Sequence, residues 1–208
     1  MKRICFVGAS TVEGLGDEAG LGWPGRLRSS APTGTAFFNL GVRGQTVEEI
    51  QGRAANECSA RILEPALGGI VFCPGVNDLG RIENGQFRTP QQKPPITLRK
   101  MILELKEIAP VIGIGSFPVF APKMPFHSAA AGMTFDFKNE DIAHASQTYE
   151  TICEELDVPY LQAHPILMES AAYTEGLAGN DGLHPDGAGY QAVADLISGW
   201  EPWQKLVS

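Results

Sequence analysis

Short apolar runs of strand length alternate along this chain with longer stretches whose apolar positions recur every three or four residues. The short runs are Arg3 to Gly8, Ala36 to Gly41, Gly69 to Pro74, Val111 to Ser116 and Val158 to Gln162. This alternation predicts strands joined by crossover helices into a parallel sheet. Several runs contain no internal polar residue, as expected for strands covered by helices on both faces. The reading is an α/β fold built on five strands.

The intervening stretches carry helix signals. Thr46 is followed three residues later by Glu49, the spacing of a capping box, and predicts a helix from Thr46 to Leu63. Leu98, Met101, Ile102, Leu105 and Ile108 fall on one helical face before Pro110, and Ile142, Ala145, Tyr149, Ile152, Cys153 and Leu156 do so before Pro159. A last helix is predicted just after Pro185, with Tyr190, Val193, Ala194, Ile197 and Trp200 on its inner side, closing the domain. Two stretches read as long loops: Leu79 to Pro95, polar with Pro and Gly, and Phe117 to Lys138, unusually apolar. Loops of that length inside a compact domain are usually functional, and in such a sheet they follow strand carboxyl ends, where ligands bind. No internal repeat or linker interrupts the pattern, and 208 residues suffice to bury a full core, so one domain over 1–208 is expected.

Composition narrows the function classes. A net charge of −8 argues against nucleic acid or an anionic membrane as partner, since both require clustered Lys and Arg. Arg99, Lys100 and Lys106 fall within a predicted helix and read as its solvated face. Ile4-Cys5-Phe6-Val7 is too short for a signal-peptide core or a membrane span, so a cytoplasmic protein is expected. Cys5, Cys58, Cys73 and Cys153 lie far apart without zinc-ligand spacing, which points to buried, reduced thiols rather than a metal site or a disulfide framework.

Four segments carry candidate chemistry. The first strand runs into Gly8-Ala9-Ser10-Thr11-Val12-Glu13-Gly14, placing Ser10 at its carboxyl end; taken alone, Ser10 reads as a helix cap. Near the other end, Asp181-Gly182-Leu183-His184-Pro185 sets an acid and an imidazole three residues apart on a turn. Such a turn brings the carboxylate to Nδ1 and leaves Nε2 outward, as a general base requires. His127, His144 and His164 have no comparable partner. Acyl transfer also needs donors aimed at the oxygen that becomes negative. The side-chain amide of Asn77, in Pro74-Gly75-Val76-Asn77-Asp78, and the backbone N–H of Gly41, in Asn39-Leu40-Gly41-Val42-Arg43-Gly44, are suitable, although either segment alone is only a turn.

Together these segments resemble the GDSL, or SGNH, hydrolase family: Ser10, Gly41, Asn77 and His184 match its four signature residues in order, with Asp181 three before the histidine, and Leu21-Gly22-Trp23-Pro24 is also similar. The resemblance spans the chain from first strand to last helix. It implies a flavodoxin-like three-layer α/β/α fold with a five-stranded parallel sheet, an acyl-enzyme mechanism on carboxylic esters, no cofactor, and an oxyanion hole formed by Ser10, Gly41 and Asn77. One departure is Ala9, where the family's Gly-Asp-Ser has its acid; that residue supports the loop rather than reacting.

Competing motifs fail. An α/β-hydrolase elbow needs G-x-S-x-G on a later strand, whereas Val12 stands two after Ser10. Gly14, Gly16 and Gly20 have the wrong spacing and position for a dinucleotide loop. Two readings stay open: a working acyl hydrolase, or an acyltransferase using the same acyl-enzyme, and a silent relative that binds a small ligand. Retention of all four signature residues, Ser10, Gly41, Asn77 and His184, and of Asp181 favours the enzyme, and Ala9 is the residue that keeps the other. Short acyl groups are expected, with Phe117, Val119, Phe120, Met124 and Phe126 of the apolar loop lining a modest acyl pocket.

Overall fold

The computed structural model describes residues 1–129 and 131–208; Ala130, within the apolar stretch Phe117 to Lys138, lies outside the described residues. Five parallel strands form the central sheet: β1 (Arg3–Gly8), β2 (Ala36–Gly41), β3 (Gly68–Cys73), β4 (Val111–Ile114) and β7 (Tyr160–Leu161). Their order is β2-β1-β3-β4-β7. Three of the five boundaries differ from the sequence reading: β3 is shifted back by one residue, and β4 and β7 are shorter. β7 is an edge strand between Pro159 and the turn of Gln162, which leaves two residues to pair with β4.

Helices cover both faces. One layer is α3 (Val47–Ser59), α4 (Lys93–Lys106) and α5 (Asn139–Glu155). The other holds α2 (Gly22–Arg26), α6 (Ala163–Met168), α7 (Ala171–Gly179), α8 (Gly187–Ser198) and α9 (Glu201–Val207). Alternate residues of β1 feed the two cores. Cys5 and Val7 pack with Ile50, Leu98, Met101 and Ile142 on one side; Ile4 and Phe6 pack with Trp23, Tyr190, Ile197 and Trp203 on the other. Phe6 meets Trp23 edge-on, with ring centres 5.4 Å apart.

The capping box forms as the spacing indicates: Glu49 Oε2 accepts the Thr46 N–H at 2.8 Å, and Thr46 Oγ1 accepts the Glu49 N–H at 3.4 Å. The helix nevertheless ends at Ser59 rather than Leu63, because Glu64 precedes Pro65 and is extended, and Ile62 turns inward to the core. The helix after Pro185 does not close the chain. Trp200 starts α9 instead of lying on α8, and α9 buries Trp203, Leu206 and Val207. The apolar stretch is also more ordered than a loop, since β5 (Phe126–Ser128) and β6 (Met133–Phe135) pair antiparallel in it. Cys5, Cys58, Cys73 and Cys153 are all buried and unpaired. Among the described residues no helix is long and apolar enough to cross a membrane.

Register positions the site. Gly8, the last residue of β1, pairs with Gly41 of β2 and with Cys73 of β3. The segments after these three strands therefore leave the sheet at one edge, side by side. The chain reverses direction of sheet growth between β1 and β3, so this edge holds the crevice of the topological switch point.

Candidate active site

Ser10 opens α1 (Ser10–Glu13), a single turn immediately after β1. It does not cap that turn: the cap position is Ala9, with no side-chain cap bond. Ser10 Oγ instead lies 2.8 Å from His184 Nε2, across 174 residues of chain. His184 Nδ1 lies 2.7 Å from Asp181 Oδ2, while Asp181 Oδ1 accepts the backbone N–H groups of Leu183 at 2.8 Å and His184 at 2.7 Å. The carboxylate thus both shapes the turn and orients the ring.

An ionised carboxylate only accepts, so Nδ1 carries the proton and Nε2 is left to accept from the Ser10 hydroxyl. Burial pushes the Asp181 carboxyl up, but the His184 ring and the two backbone N–H groups outweigh it and hold it below the ordinary range. The acid therefore stays charged where an imidazolium would form beside it. Ser10 and His184 are both buried, and the Phe126 ring meets the imidazole edge-on at 5.9 Å.

Gly41 does not fulfil its expected role. Its N–H donates to Asn39 Oδ1 at 2.9 Å, so this donor is already engaged. Glycine is required there for a different reason: a Cβ would stand 2.1 Å from the backbone nitrogen of Glu13, so only glycine lets β2 pass under α1. The second glycine of the same segment, Gly44, lines the cleft with Ser10, and its N–H has no acceptor among the described residues. Gly44 has φ +78°, a left-handed turn that glycine adopts without strain. Gly44 is set apart from Gly41 by its place on the cleft and by the Asn39 side chain, which engages the Gly41 N–H.

Asn77 lies in the short turn after β3 and also lines the cleft. Its Nδ2 donates to the Gln45 carbonyl at 2.9 Å, which leaves the second hydrogen of that amide unassigned. Next to it, Asp78 is buried, and its Oδ2 accepts the Val47 N–H at 2.8 Å. From α3, Arg53 donates to the Gly8 carbonyl at 3.0 Å and to Gln45 Oε1 at 2.6 Å. These bonds tie the ends of β1, β2 and β3 together. Ala9 is buried in the core, and its carbonyl accepts the N–H groups of Val12 and Glu13, closing the loop without an acid at that position.

The cleft has a volume of 460 Å³. Its apolar wall is Phe126, Phe135, Phe137 and Leu183, and its polar side holds Arg43, Gln45, Glu49 and Arg88. Of the five loop residues expected to line an acyl pocket, only Phe126 does so. Phe117 and Val119 are buried in the two cores, and Phe120 and Met124 pack against them, because the segment runs over the cores after β4 before it turns out as the hairpin. A larger depression of 740 Å³ at the opposite end of the sheet is lined by lysines, prolines, aliphatic residues and the acids Glu107 and Asp157, with no serine, cysteine or histidine.

The loop after α1 is braced against the histidine segment. Tyr190 donates its hydroxyl to the Leu15 carbonyl at 2.8 Å, Glu18 Oε2 accepts the Gly187 N–H at 2.9 Å, and Asn180 Nδ2 donates to the Gly16 carbonyl at 3.3 Å. Asp17 pairs with Arg26 and accepts the N–H groups of Ala19, Leu21 and Gly22. Among the described residues no group of three or more His, Cys, Asp or Glu side chains is placed to hold a metal ion.

The chain has the fold of the lipase/acylhydrolase from Enterococcus faecalis, at TM-score 0.71 and 18% identity, covering 100% of this chain and 98% of that one. The native aryl esterase of M. smegmatis superposes at TM-score 0.73 with 14% identity, covering 99% of this chain and 100% of that one. A catalytic mutant of an acetylxylan esterase from Geobacillus stearothermophilus does so at 0.66 with 19% identity, covering 97% and 95%. No curated protein matches the chain by sequence. The GDSL-like Lipase/Acylhydrolase family matches residues 6–192, from within β1 to the middle of α8, and the protein belongs to that family of carboxylic ester hydrolases.

Proposed function

We propose that the protein cleaves short-chain carboxylic esters through an acyl-enzyme on Ser10. The observation that carries this reading is the continuous hydrogen-bonded line from Asp181 through His184 to the Ser10 hydroxyl, at 2.7 Å and 2.8 Å. In the first half-reaction Ser10 Oγ attacks the ester carbonyl carbon and its proton passes to His184 Nε2. The carbonyl oxygen becomes negative and is held by the backbone N–H groups of Ser10 and Gly44 and by the second Nδ2 hydrogen of Asn77. Collapse breaks the bond to the alcohol oxygen, which takes the proton from His184. Water then attacks the acyl-enzyme with His184 again as base, releasing the acid and restoring Ser10.

The reading as an enzyme, rather than as a silent ligand-binding relative, is supported by the alignment of serine and imidazole without any acid at position 9. A neutral imidazole is required at the start of each half-reaction. The modest volume and aromatic wall of the cleft support small acyl groups, in keeping with structural relatives described as an aryl esterase and an acetylxylan esterase. The four unpaired thiols support a reducing, cytoplasmic setting. A fluorophosphonate probe is expected to label the protein, and Ser10→Ala to abolish labelling and hydrolysis of aryl acetates together. Labelling that persists in Ser10→Ala would remove the assignment of the nucleophile.

A further inference from the structure

The cleft carries charged groups that ester cleavage does not use. Arg43, Glu49 and Arg88 all line it. Two of the three are committed elsewhere. The Glu13 carboxylate binds the Arg43 guanidinium at two nitrogens and also takes the Arg43 backbone N–H at 3.0 Å. Glu49 Oε2 accepts the Thr46 N–H at 2.8 Å and the Thr46 hydroxyl at 2.9 Å, completing the cap of α3.

Arg88 is placed differently. Its Nη1 donates to the Gly44 carbonyl at 2.9 Å, and its guanidinium carbon lies 5.6 Å from the centre of the Phe135 ring. Glu49, the one carboxylate within ion-pair range among the described residues, stands 3.7 Å from Nη2, outside hydrogen-bond distance. The guanidinium is thus held at one nitrogen by a carbonyl and on its face by an aromatic ring, while its other N–H groups have no acceptor. A planar, permanently charged fork fixed in this way is preorganised for an oxyanion with two acceptor oxygens. It opens into the cleft that holds Ser10 and His184, on the side of Gly44.

We propose that this cleft selects esters bearing a second, anionic oxygen group, a carboxylate or a phosphate, and that Arg88 is the specificity-determining residue that binds it. The proposal rests on the hydrolase reading above. It accounts for a guanidinium in the reaction cleft whose Nε and Nη2 hydrogens have no acceptor among the described residues, Glu49 standing within ion-pair range but not hydrogen-bonded to it. The neutral wall of Phe126, Phe135 and Phe137 would then hold the carbon chain between the ester and the anionic group.

Three matched pairs of substrates test this: an aryl monoester of adipic acid against the aryl hexanoate, the acetyl ester of 4-hydroxybenzoate against that of its methyl ester, and an acetylated phosphoryl alcohol against its uncharged counterpart. In at least one pair the charged member is expected to exceed the neutral one in kcat/KM by about tenfold or more, the scale of one charge-assisted contact. The pair that responds identifies where the anionic group lies and whether it is carboxylate or phosphate. That ratio should fall to about one in Arg88→Gln and be kept in part by Arg88→Lys, whatever happens to the absolute rates. Ratios are read on sites titrated with a fluorophosphonate, so loss of folded protein does not enter. Ratios at or below one in all three pairs, or a preference unchanged in Arg88→Gln, would overturn the proposal while the hydrolase reading stands. Failure of the probe to label Ser10 would overturn both.

Discussion

Asn77 illustrates how a single side chain can have two separable duties. One Nδ2 hydrogen is bound to the Gln45 carbonyl, which holds the segment after β2, and the other is proposed to meet the substrate oxygen as it becomes negative. Removing one such donor costs roughly 2.7 to 4 kcal/mol in the transition state, so Asn77→Ala should lower kcat about a hundred- to a thousandfold at nearly constant KM. An unaltered kcat per titrated site, with a lowered melting temperature, would assign Asn77 to the turn alone. Asp181 can be tested in the same way. Asp181→Asn keeps the shape of the side chain but removes the charge that fixes the His184 tautomer, and kcat is expected to fall on the order of 10⁴-fold. His184→Ala should be nearly inactive, and turnover close to wild type would remove it as the base.

At the scale of elements, the hairpin of β5 and β6 forms much of the cleft wall. Its strands are three residues each, too short for an alternating pattern to show, which is why the stretch read as a loop. The hairpin brings Phe126 and Phe135 to the site although they are nine positions apart, directly opposite one another in the register. With chromogenic esters of increasing acyl length, rates are expected to peak at short chains and then fall, and Phe126→Ala should move the peak to longer chains. Rates that climb steadily with length in the wild type would reject the short cleft. The capping box of α3 has a separate and measurable effect: Thr46→Ala should lower stability by about 0.5 to 2 kcal/mol, read from the midpoint of urea unfolding.

For the whole molecule, acid stability depends on carboxylates that fold into contacts with cations. Burial alone would raise the Asp17 carboxyl, but Arg26 and the N–H groups of Ala19 and Gly22 bring it down to about 2. A depressed folded value means that the stabilisation is fully present above the unfolded value, about 3.9, and is lost as pH falls toward 2. Asp17→Asn should therefore destabilise the protein at neutral pH, and the difference from wild type should shrink between about pH 4 and pH 2. A stability difference that is constant over that range would show that Asp17 acts through packing and hydrogen bonds rather than charge.

The strands were legible because a parallel sheet covered on both faces demands unbroken apolar runs, and helix α3 because its cap is formed by residues three apart. The Asp181–His184 pair was legible for the same reason: its hydrogen bonds lie within one turn of chain. Ser10 was readable as a candidate only beside the other segments, since a serine after a strand is most simply a cap. What tertiary structure decided are the contacts between distant segments. Docking of the histidine segment on the loop after α1 put His184 against Ser10, the Asn39 side chain took the Gly41 N–H and left that of Gly44 unclaimed, and the hairpin chose Phe126 and Phe135 over Phe117 and Val119 as cleft wall. Local pattern encodes periodicity and turns, whereas which donor remains open and which ring faces the site depend on how separate segments pack, and no spacing along the chain records that.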